Sequence, residues 1–156
     1  MIRRFFIIIG FLILVIYLAG FRTDGRFLKI VTGQVTHKLM VEVARAIEEK
    51  QLGLMGREEL PDGTGMLFVY DEEEKPNPII WMKGMLIPLD IVFIGKDLKI
   101  NYIEENVQPC FAKYDRQCNL YGSAVPSAYV LELPAGFTAR FGVNPADKII
   151  LPSGIQ

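Results

Sequence analysis

The sequence predicts an α+β, β-rich fold: a compact antiparallel or mixed, barrel-like sheet with one or two short helices, preceded by an N-terminal hydrophobic helix. Two observations carry this prediction. After residue 60 the chain is a series of short apolar runs separated by turn residues, with no long helical periodicity between them. Before residue 22 lies an uncharged run of 17 residues, Phe5 to Phe21. The 156 residues fit one domain plus an extension, and a hydrophobic fraction of 51% is enough for a real core.

The N-terminal run reaches roughly 26 Å as a helix, at the short end for crossing a bilayer. Arg3 and Arg4 precede it, as in an N-in signal anchor or a signal peptide. Cleavage after Ala19 or Gly20 would leave Tyr17 or Leu18 at the outer recognition position, where small residues are preferred. The expectation is therefore a retained membrane segment over residues 1–21, with the rest of the chain outside the cytoplasm. Cleavage to a secreted or periplasmic protein is the alternative, and a buried soluble helix a further one.

Residues 22–36, with Gly25 and Gly33, suggest a linker. The globular domain is then expected over residues 37–156. "KLMVEVAR", 38–45, alternates as a first strand. "AIEEKQLGLMGR", 46–57, has helical spacing: Ile47, Leu52 and Met55 share a face, and Glu48 and Glu49 suit a first turn. Gly53 weakens this helix and Gly56 ends it. Strands follow at 66–70, 78–86, 89–94, 99–107, 129–134 and 148–151. "AGFTARFG", 135–142, reads as a short helical turn closed by Gly142. "GKDL", 95–98, is a four-residue hairpin loop. That loop sets Ile94 opposite Lys99, Val92 opposite Asn101 and Asp90 opposite Ile103. Ile91, Phe93, Ile100 and Tyr102 then form a core side, with Asp90 and its diagonal neighbour Glu105 on the other side.

Several chemistries are disfavoured. Without residues 1–21, which hold Arg3 and Arg4 and no acid, Lys+Arg falls from 17 to 15 against 18 acids, a net of −3. Nucleic-acid binding needs a basic footprint that this chain lacks. With one histidine, His37, no catalytic triad or zinc ligand set is evident. No metal and no cofactor is expected. Met55, Met66, Met82 and Met85 suit a soft metal in principle but read as core filler. Cys110 and Cys118 have seven residues between them. Outside the cytoplasm they could bridge, contributing about 2–3 kcal/mol; otherwise they are free thiols in a loop.

The charges around "WMKGMLIPLD", 81–90, suggest a cleft. Trp81 would be a platform, Lys83 and Arg57 cations, Asp90 and Glu105 carboxylates. An aromatic platform with carboxylate acceptors suits a sugar ring. Two carboxylates about 5–9 Å apart also suit acid–base hydrolysis of a glycosidic bond, with Asp90 and Glu105 as weak catalytic candidates. The bland alternative is that Lys83 extends to solvent and Asp90 accepts backbone N–H bonds near the Pro88 bend. The functional expectation is a membrane-anchored, extracytoplasmic binding or accessory domain for a glycan or other cell-envelope ligand. Alternatives are an envelope hydrolase and a structural partner of a membrane protein.

"GLMGR" (53–57), "GMLFVYDEE" (65–73), "WMK" with "LIPLDIVFI" (81–94), "IEENVQPC" (103–110) and "YVLELPAG" (129–136) occur together and in this order. The set resembles the bacterial and archaeal family catalogued as domain of unknown function 192, over about residues 38–151. The resemblance implies a compact β-rich α+β fold, an N-terminal export or anchoring segment in many members, and no established reaction. The chain departs from the family pattern at Gly84, where Asn is usual, and at Gly95, where Asp is frequent.

Overall fold

The computed structural model describes residues 26–71 and 77–155. The expected N-terminal helix over residues 1–21 lies outside the described residues. Among the described residues, no helix is long and apolar enough to cross a membrane. The elements in chain order are β1 (Arg26–Thr32), β2 (Val35–Ala44), α1 (Ile47–Leu52), β3 (Thr64–Val69) and β4 (Ile79–Trp81). They continue with β5 (Leu89–Ile94), β6 (Ile100–Val107), a 3₁₀ turn (Asp115–Gln117), β7 (Leu120–Gly122), β8 (Tyr129–Pro134), α2 (Phe137–Phe141) and β9 (Lys148–Ile150).

Seven strands form one curled half-barrel sheet in the order β6-β5-β8-β3-β2-β1-β9, and β4 pairs with β7 in a separate two-stranded ribbon. Only the β2–β3 pair is parallel, so the sheet is mixed. Its two ends approach each other. Ile149 N donates to Leu98 O at 2.7 Å, Ile100 N to Asp147 O at 3.0 Å, and Lys99 bridges Lys148. This seam curls the sheet around an inner core of Leu28, Ile30, Val41, Leu67, Val92 and Leu131, closed by Phe137 of α2.

A second core lies on the opposite face. Met66, Phe68, Ile91, Phe93 and Val130 pack there beneath Leu54, Ile80, Met82 and Met85. Strand β5 is buried at all six positions because it separates these two cores. Its continuous apolar run, interrupted only by Asp90, is the sequence correlate.

Two departures from the sequence reading have local causes. Residues 26–32, read as part of a linker, form β1. Leu28 and Ile30 point into the core while Phe27 and Lys29 are exposed, and a two-residue turn at 33–34 joins the strand to β2. The glycines drew attention away from that alternation. In the β5–β6 hairpin the 95–98 loop closes with Gly95 N donating to Lys99 O. However, an irregularity between Phe93 and Ile94 shifts the register. Ile94 faces Ile100 and Val92 faces Ile103. Ile100 therefore joins the inner core, while Tyr102 lies on the outer side, 41% exposed, beside Phe93.

Gly65 lets β3 lie against β8. A Cβ there would stand 2.6 Å from Glu132 O and 3.0 Å from a Leu133 methyl carbon. Gly65→Ala is expected to cost about 2–4 kcal/mol, since backbone rather than a flexible side chain must move. A chemical denaturation midpoint indistinguishable from wild type would contradict this packing.

Candidate functional site

The residues singled out in the sequence fall into four settings. Asp90 is fully buried at the inner-core end of β5. Its Oδ1 accepts from Asn106 N at 2.8 Å and Gly136 N at 3.0 Å. Its Oδ2 accepts from Thr138 N at 2.8 Å and Thr138 Oγ1 at 2.7 Å. One carboxylate thus ties β5 to the end of β6 and to the first turn of α2. Glu105 is exposed and reaches this cluster only through Thr138 Oγ1, at 3.5 Å from its Oε1. Asp90 is an anchor of the fold, with its acceptor capacity directed at protein donors.

Lys83 does not meet Asp90; it forms an ion pair with Asp115 of the 3₁₀ turn. Lys83 also bridges Cys110, which is disulfide-bonded to Cys118 across a Cα–Cα distance of 5.7 Å. Cys110 N donates to Met82 O at 2.9 Å, so the stapled loop is fastened to the chain just after β4. Arg57 makes a two-pronged ion pair with Glu42 of β2, at 2.5 and 2.6 Å.

Trp81 lies elsewhere. It is 38% exposed and lines a pocket of about 250 Å³. Ile47, Leu52 and Met55 all line this pocket, but not as the single helical face their spacing suggests, because α1 ends at Leu52 and Met55 lies in the following turn. Ile47 and Leu52 remain exposed, because α1 buries none of its residues. Gly53, the C-cap rather than an interior residue, ends α1, and the following turn is held by Gly56 N donating to Gly84 O. Gly84 has φ +75°, a conformation open to Gly and tolerated by Asn. Gly84 thus suits the backbone turn that supports the pocket.

The residue that sequence reasoning missed is Glu132. On β8 it follows Val130 on the outer face, and its register partners are Met66 and Ile91, both apolar and buried. It is 5% exposed, lines the pocket with Trp81, and its Oε2 has no hydrogen-bond partner among the described residues. Burial pushes its carboxyl up to about 8, and the positive charge of Arg57 pulls it part of the way back. The signal was present in "YVLELP": the alternation that buries Val130 puts an acid on the same face. Four of the six methionines gather in this region. Met55 and Met85 line the pocket, Met66 adjoins Glu132, and Met82 is buried in the same core. Thioether side chains repack readily and give the walls an adaptable surface. Among the described residues, no group of His, Cys, Asp and Glu is arranged to hold a metal.

Comparison with known proteins places this architecture. The family model DUF192 (Uncharacterized ACR) matches residues 28–151. The chain belongs to the DUF192 family. A crystal structure from Sinorhizobium meliloti, called a "putative transcription regulator", is 35% identical with a TM-score of 0.73, covering 83% of this chain and 95% of that one. A protein of unknown function from Novosphingobium aromaticivorans is 34% identical with a TM-score of 0.71, covering 80% and 83%. No curated protein matches the chain.

Two predictions follow from the two carboxyls. Asp90→Ala strands buried donors in β6 and α2 and is expected to lose about 3–5 kcal/mol, whereas Glu105→Ala stays within about 0.5 kcal/mol of wild type. Equal losses in denaturant titrations would refute the anchoring role. For Glu132 the folded state holds a proton that the unfolded chain releases near 4.5. Its contribution to stability is full below that value and is lost as pH rises toward about 8. The slope approaches about 1.4 kcal/mol per pH unit. Glu132→Gln should remove this part of the pH dependence, so parallel stability–pH curves for the two proteins would exclude it.

Proposed function

We propose that this DUF192 protein is a membrane-anchored, extracytoplasmic binding or accessory domain whose pocket beside Trp81 takes a glycan or another cell-envelope ligand. One observation carries the reading. A partly exposed tryptophan and a buried carboxyl, whose Oε2 has no partner among the described residues, line the same hollow. A sugar ring uses both kinds of surface, stacking its apolar face on an aromatic ring while its polar edge needs hydrogen-bonding groups. Lys50 and Gln51 supply further polar atoms on the wall. The volume of about 250 Å³ lies just below the usual ligand range of about 300–1,000 Å³ and suits one ring or one end of a longer ligand.

The placement outside the cytoplasm rests on the uncharged run 5–21 behind Arg3 and Arg4, and on the Cys110–Cys118 bond, which suits an oxidising compartment. Cleavage of the run would give a secreted or periplasmic protein with the same pocket. Hydrolysis by Asp90 and Glu105 is less favoured, because Asp90 has no exposed surface and already accepts four hydrogen bonds. A protein partner is the second reading, supported by the exposed apolar rim of Ile47, Leu52 and Ile79. The regulator name of the Sinorhizobium protein is not carried over, since a formal net charge of −1 offers no basic footprint for DNA.

Trp81 is the chain's single tryptophan, so its emission reports directly on the pocket. Titrating the full chain in detergent with soluble envelope glycan fragments is expected to give a saturable shift in emission. By calorimetry, Trp81→Ala should weaken binding about tenfold or more. Glu105→Ala should leave the affinity unchanged. A flat titration across envelope glycans would sink the glycan reading, and loss of affinity in Glu105→Ala would move the site to the Asp90 cluster.

A further inference from the structure

Glu132 deepens the binding reading on which it rests, because its surroundings decide what the ligand must offer. Apolar side chains, Met66 and Ile91, flank it in register on the two neighbouring strands. Charged groups lie on the elements around it. Arg57, after α1, is engaged by both carboxylate oxygens of Glu42 on β2, so its charge is largely answered locally. Lys50 of α1 donates to Val69 O at 3.2 Å and lies over the Tyr70 ring at 4.7 Å. Glu104 of β6 is one strand further, opposite Ile91. Among the described residues, no hydrogen-bond donor meets Oε2. A carboxylate in such a setting would be an unpaired buried charge, whereas a carboxylic acid is a neutral group with one O–H to donate.

We propose that Glu132 donates its carboxyl proton in a hydrogen bond to a carbonyl oxygen of the ligand, and that the ligand is an N-acetylated sugar whose acetamido group enters the pocket. The acetamido carbonyl supplies the acceptor. Its methyl group meets the apolar lining provided by Met55, Leu54 and Phe68. The sugar ring is left against Trp81. A plain hexose brings a hydroxyl without the methyl group, and a free amino sugar brings an ammonium that needs a carboxylate instead.

The test uses the full chain in detergent, Trp81 emission, and three disaccharides of one backbone: chitobiose, its de-acetylated form, and cellobiose. At about pH 6 chitobiose should bind about tenfold or more tightly than cellobiose, the worth of one well-made hydrogen bond with its buried methyl. At about pH 9.5 the wild-type preference should collapse, because an ionised carboxyl accepts and cannot donate. Glu132→Gln keeps a donor and cannot ionise, so it should hold the preference at both pH values. Equal binding of chitobiose and cellobiose at both pH values overturns this inference and leaves the binding reading standing. Preference for the de-acetylated sugar, abolished in Glu132→Gln, overturns it in favour of a carboxylate–ammonium pair. Absence of binding by all three overturns the inference together with the glycan reading beneath it.

Discussion

Strand β5 has no solvent face, and most of the structure follows from that constraint. A strand buried on both sides forces the sheet to carry two cores, one inside the curl and one outside it. Any polar group placed in these layers must find partners within the protein or bear the cost of losing water. The two carboxyls there meet this demand in opposite ways. Asp90 satisfies it with four donors drawn from three residues, Asn106, Gly136 and Thr138. Glu132, one strand away on the other face, leaves an oxygen unanswered. The first arrangement is what a fold needs for rigidity. The second is tolerable only if the group stays neutral or a partner arrives from outside.

The pocket wall is assembled from parts that would be weak alone. Helix α1 has six residues and buries none of them, so its position depends on its ends. Glu49 Oε2 accepts from Arg45 N and Ala46 N at the start, and Gly84 O receives Gly56 N after the finish. The β4–β7 ribbon has three residues in each strand and gains support from the disulfide-stapled loop through Cys110 and Met82. Trp81 stands at the end of β4, opposite Leu120. Rigid central strands thus carry lightly held outer pieces around the pocket.

The sequence disclosed the strands better than the site. Runs such as "LDIVFI" and "YVLELP" name their strands because β-branched and aromatic residues bounded by Gly and Pro have few other uses. Residues 26–32 escaped because two flanking glycines outweighed a short alternation. The hairpin register slipped because an irregularity leaves no mark in composition. Trp81 was legible as a pocket residue from its chemistry. Asp90 drew attention for the right reason, an acid within an apolar run, but the donors that saturate it come from residues 106, 136 and 138. Glu132 looked ordinary for the converse reason: its isolation arises from Met66 on another strand and from the layer above, neither of which is near it in the chain.

The seam between the two ends of the sheet also bears on how the molecule comes into being. Among the described residues, the outer edge of β1 is covered by β9 alone, through Lys29–Ile150, Ile30–Ile149 and Val31–Lys148. Those pairs join the first described strand to the last, across nearly the whole chain, and such non-local pairing slows folding. The curl therefore cannot shut until residues 148–150 have emerged. An edge that stays open until its distant partner arrives leaves the earlier strands exposed to pairing with other chains in the interval.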